Sequence, residues 1–196
     1  MDDQVLKRLW LSAENEARMT GSSFSHVFEP VGLILIRPVA GEGYESTPLN
    51  SLAFAKTGGD GVHFSLLRIG GGTRGPSPIV MTVPMNFGNE NLVLGSNIRE
   101  FLCLGCQVGY FSLELLTYAD SRSEAIYWLE HPEEWFAKHG QGVNGEDGVN
   151  RQKHLLGVLQ RDLDLSPWEE FQQRIGHLQR QYLSMLEFQP GDVGAA

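Results

Sequence analysis

The chain has 196 residues, 41% hydrophobic and 20% charged, with 24 acids against 15 Lys and Arg and a net charge of −9. That length fits one domain with interior enough to fold without disulfides or metals, and the charge speaks against nucleic acid, which is held by Lys and Arg. The longest apolar run, residues 31–36, is too short to cross a bilayer, and the amino terminus lacks the basic-then-apolar order of a secretory signal, so a cytoplasmic protein outside the membrane is expected.

Val5, Leu6, Leu9, Trp10, Ala13 and Ala17 recur at helical intervals and predict an amphipathic helix over residues 3–19, ended by Thr20 and Gly21. Residues 31–37 read as a strand covered on both faces and stopped by Pro38, and residues 40–48 as an exposed loop. Leu52 and Phe54 alternate along one strand, Val62, Phe64 and Leu66 along the next, which predicts an antiparallel hairpin. Gly58, Gly59 and Gly61 permit positive φ around Asp60 in its turn. A second glycine cluster, residues 70–75, reads as a mobile surface loop before the strand at residues 79–85.

From Ser96 the period becomes helical, with Ile98, Phe101 and Leu102 on one face and Ser96 as the cap. Ser121 with Glu124, and Ser166 with Pro167 and Glu169, have the spacing of capping boxes; residues 140–148 read as a flexible break between helices. Trp168, Phe171, Ile175, Leu178, Tyr182 and Met185 form one stripe that must be covered, by the domain itself or by a second copy in a coiled coil. The expected organisation is a single α+β domain over residues 1–188, with a small, mostly antiparallel sheet, an amino-terminal helix and a carboxy-terminal helical layer. Residues 189–196 form a disordered tail.

No residue set has the types and spacing of an active site. Cys103 and Cys106 form C-x-x-C, but no other cysteine exists to complete a zinc site, and their apolar helical setting predicts buried, inert thiols. His131 and Glu134 give H-x-x-E, with Trp135 where a zinc hydrolase has its second His; His139 is the remaining candidate for that group. His63, beside the Asp60 turn and on the face opposite Phe64, is expected to be solvated. Neither glycine loop is followed by the helix that a phosphate-binding motif needs. No cofactor or metal is expected.

The order of parts, LAFAKTGGDGVHFSLL, then IVMTVPM, then SNIREFL, resembles the SUKH superfamily of fungal cell-wall assembly regulators and bacterial immunity proteins. The resemblance rests on residues 54–64 with Gly59, Asp60 and Gly61, on residues 79–84, and on Ser96, Glu100, Phe101 and Leu102. It covers about residues 30–105, without the family's Leu-Pro and Asn-Gly-Gly segments. It implies a non-enzymatic binding module that, in toxin systems, masks a cognate toxin. The acidity of this chain would suit a basic toxin, with Glu45, Asp60 and Glu90 as expected partner contacts. A regulatory scaffold and a thiol- or metal-dependent enzyme are the alternatives.

Overall fold

The computed structural model describes residues 2–70, 77–139 and 145–189. The protein is α+β: an open five-stranded antiparallel sheet in the order β1-β2-β3-β4-β5, with an amino-terminal helix and carboxy-terminal helices. The strands are β1 (Ile34–Ala40), β2 (Ser51–Lys56), β3 (His63–Leu67), β4 (Ile79–Thr82) and β5 (Asn91–Gly95). The helices are α1 (Asp2–Thr20), α2 (Ile98–Gly105), α3 (Arg122–Glu130), α4 (Pro132–His139), α5 (Gly145–Leu163) and α6 (Phe171–Tyr182).

Alternation along the strands gives the sheet two unlike faces. One carries Phe64 and Met81, which are register partners, and packs on α2. Phe101 of α2 is the hub of that core, with ring centroids 5.6 Å from Phe54, 4.8 Å from Phe64 and 5.2 Å from Tyr110. α1 packs on α2 and α5, burying Leu6, Leu9, Ala13 and Ala17 as its periodicity predicts. The opposite face is mixed: Ser51, His63, Ser65 and Thr82 are buried there beside their register neighbours Leu67, Val80 and Val93.

Part of that second face is covered by the β1–β2 loop, residues 41–50, whereas the sequence predicts an exposed loop over residues 40–48. Thr47 and Pro48 are buried, and Asn91 Nδ2 donates to Ser46 O at 2.9 Å across the sheet. Residues just past α6 fasten the loop. Leu49 N donates to Glu187 O at 2.7 Å, Asn50 Nδ2 to Met185 O at 2.9 Å, and Glu187 N to Asn50 Oδ1 at 3.1 Å.

Several boundaries differ from the sequence expectation, each for a physical reason. Residues 29–31 form a 3-10 turn, and β1 starts at Ile34 and continues through Pro38. As an edge strand with an irregular register between Leu35 and Ala40, it tolerates a residue without an N–H, and only Ile34 and Leu35 are buried. β4 ends at Thr82, and β5, a five-residue strand that no alternation over a longer run predicts, completes the sheet. The cap of α2 is Asn97, whose Oδ1 accepts from Glu100 N at 2.9 Å; Ser96 instead donates its hydroxyl and its N–H to the Glu100 carboxylate.

Ser121 makes no side-chain cap bond, its backbone being helical (φ −102, ψ −12) rather than extended, and Glu124, the other half of the expected box, turns to Trp128 and Lys138. α6 begins at Phe171, past the expected Ser166 box. Its stripe is covered within the chain: Phe171, Ile175 and Leu178 are buried with α6 against β5, Trp168 is buried just before the helix, and Met185 is exposed. Of the expected flexible break, residues 145–148 are the first turn of α5, and residues 140–144 lie outside the described residues. So do residues 71–76 of the second glycine cluster and residues 190–196 of the expected tail.

Candidate partner-binding end of the sheet

A meander brings alternate turns to the same end, so the β2–β3 turn and the β4–β5 loop are neighbours. The β2–β3 turn is tight: Thr57 N donates to Val62 O and Val62 N to Gly59 O, both at 3.0 Å. Asp60 sits at its tip with φ +47, a left-handed conformation that Asp tolerates. The β1–β2 loop reaches the same end. The Tyr44 ring lies against Gly61, which has φ +74 and where a Cβ would come within 2.5 Å of that ring. From the helical side, the 3-10 segment Phe111–Thr117 arrives there too, with the backbone of Phe111 over Gly32 and Glu114 close enough to Asp60 to feel its charge.

The three carboxylates singled out from the sequence are therefore gathered at one end. Glu45 is exposed in the β1–β2 loop and Asp60 is exposed on its turn. Glu90 is half-buried in the β4–β5 loop, where its Oε1 accepts from Gly88 N at 2.9 Å. Two further acids join them that sequence reasoning missed, Glu42 and Glu114, because loop cover and the 3-10 segment bring them in from distant parts of the chain. Burial and the neighbouring Asp60 charge push the Glu114 carboxyl above its ordinary value.

Among the described residues none of these five acids forms an ion pair with Lys or Arg, whereas Glu14, Glu16, Glu100, Glu124, Glu133, Asp162 and Asp164 each hold one. Apolar side chains stand between the unpaired acids. Phe87 is 80% exposed, Met85 62%, Tyr44 45% and Phe111 44%. No spacing in the sequence marks these four as a group.

His63 corrects the expectation of a solvated side chain: it is 1% exposed. Nδ1 lies 2.8 Å from Gly61 O, an acceptor only, so Nδ1 carries the proton and donates; Nε2 then accepts from the Thr47 hydroxyl at 3.1 Å. Tyr44 stacks on the ring at 5.9 Å. Burial lowers the pKa of His63 below the ordinary value, against the opposing pull of the Gly61 carbonyl and the Glu42 charge. The imidazole thus acts as a neutral latch that holds the β1–β2 loop on the sheet.

The other candidates disperse. Cys106 is buried, its thiol pushed up to about 12 by burial and by Cys103 nearby. Cys103 departs from expectation in being half-buried, and it lines a cavity of about 450 Å³ with Arg99, Glu100, Trp168 and Arg174. His131 and Glu134 do not converge as ligands; both turn to Tyr127, His131 by stacking at 4.1 Å and Glu134 by accepting from the phenol at 2.7 Å. The side chain of His139 lies outside the described residues. Among the described residues, no three of His, Cys, Asp and Glu are grouped to hold a metal ion, and no helix is long and apolar enough to cross a membrane. No family model matches the chain, nor does any curated protein or solved structure.

Proposed function

We propose that this chain is a non-enzymatic protein-binding module of the SUKH immunity type, which masks a basic partner, in a toxin system a basic toxin, with the acidic end of its sheet. The observation that carries the reading is the gathering of Glu42, Glu45, Asp60, Glu90 and Glu114 at one end, none of them held in an ion pair among the described residues, with Lys56 at the end of β2 as a lone cation beside five acids. Like charges so placed repel, and an incoming Lys- or Arg-rich surface relieves that repulsion while the field of the acids speeds its approach. The exposed Tyr44, Met85, Phe87 and Phe111 add the aromatic and Met content that partner surfaces favour.

The test is co-expression with the product of the adjoining gene. Expected are a co-purifying complex, relief of that product's toxicity, and loss of both when Glu45, Asp60 and Glu90 are replaced together by Lys. A harmless adjoining product that does not bind would overturn the immunity role.

A further inference from the structure

Building on that reading of the acidic end, we infer that the β4–β5 loop is the anchor of the interface, and that the partner presents an apolar socket rimmed by Lys or Arg. Phe87 and Met85 are the two most exposed large hydrophobic side chains at this end, 80% and 62% open to solvent. Burying Phe87 in a partner would take a large apolar side chain out of water, the main gain such an anchor offers.

The loop is already fixed for that task. Val83 N donates to Glu90 O at 2.7 Å, Asn86 N to Val83 O at 3.0 Å, and Asn89 N to Asn86 O at 2.9 Å. The Glu90 carboxylate accepts from Gly88 N at 2.9 Å, directly after Phe87. A loop held by its own hydrogen bonds loses little freedom on docking, so more of the contact energy survives as affinity. One carboxylate therefore shapes the loop and supplies part of the negative rim around its apolar tip. A second copy of this chain is a poor occupant, because a symmetric contact would set these acids against themselves.

The test pans a random-peptide phage library against the full chain and measures a synthetic copy of the enriched peptide by calorimetry. Enriched peptides should join an aromatic or aliphatic residue to Lys or Arg. Phe87→Ala should weaken binding at least roughly tenfold, as loss of a central anchor does, and Met85→Ala by less. As a control on α1, Leu11→Ala should bind as the parent does. Cationic peptides that ignore Phe87→Ala would overturn the anchor and leave the basic-partner reading in place. Enrichment of neutral or acidic peptides, or of none, would overturn both.

Discussion

The side-chain amide of Gln179 meets the backbone of Val93 as a neighbouring strand would: Oε1 accepts from Val93 N at 3.0 Å and Nε2 donates to Val93 O at 2.7 Å. β5 is the last strand of the sheet, and Val93 is fully buried, so both backbone groups would otherwise lack a partner in a place water does not reach. One glutamine on α6 thus closes an edge that could recruit other chains.

Gln179→Ala strands that N–H and C=O together. We expect a loss of about 1–3 kcal/mol in urea unfolding, the cost of a buried polar group without a partner. Gln179→Glu should also destabilise, since a carboxylate accepts from the N–H but cannot donate to the carbonyl. Unchanged midpoints in both variants would show that water or α6 itself replaces the pair.

His63 makes stability fall on the acid side. Its folded pKa lies below the ordinary 6.5, chiefly through burial, so once the pH drops below that value the unfolded chain takes up a proton that the folded chain refuses. This contribution is complete above pH 6.5 and declines as the pH falls toward the folded value. Of the groups around the ring, the Gly61 carbonyl and the Glu42 charge pull the pKa upward and burial outweighs both, while a cation such as Lys56, the register partner of His63, would only add to the lowering. Urea midpoints measured from about pH 7.5 down to about pH 5 should drop less in His63→Gln than in the parent.

The two thiols should separate cleanly. Iodoacetamide at neutral pH is expected to modify Cys103 in the native protein, slowly, because it is only half-buried, and to spare Cys106, which is buried with its thiol pushed up to about 12. Peptide mapping after unfolding in urea should find both labelled. Native labelling of Cys106 would mean that α2 opens readily.

Gly61 and Gly21 form a matched pair. Both have positive φ, but a Cβ at Gly21 meets nothing within 4 Å, while at Gly61 it comes within 2.5 Å of the Tyr44 ring. Gly21→Ala should cost about 1 kcal/mol, the backbone term alone. Gly61→Ala should cost the same plus the displacement of Tyr44, and the His63 ring signals in NMR should shift only in the second variant.

Elements defined by contiguous periodicity were readable from the residues alone. The stripe of α1, the β2–β3 hairpin and the apolar face of α2 follow from spacing within one segment, and the buried Phe171, Ile175 and Leu178 do too. What the spacing could not supply is cover from elsewhere. His63 reads as a solvated strand residue until Tyr44 and Thr47 lie over it, and residues 31–37 read as a strand covered on both faces although only Ile34 and Leu35 of the edge strand β1 are buried. The acidic end was half legible: Glu45, Asp60 and Glu90 stand out as loop acids, but only the fold adds Glu42, Glu114 and the apolar side chains between them.

The bonds from Leu49 and Asn50 to residues 185 and 187 also bear on how the molecule is made. During translation all five strands leave the ribosome well before the residues that fasten the β1–β2 loop. The cover over His63 therefore locks only once residues 185–187 have been made, long after the strand that carries His63, so the loop is the last layer to settle on that face.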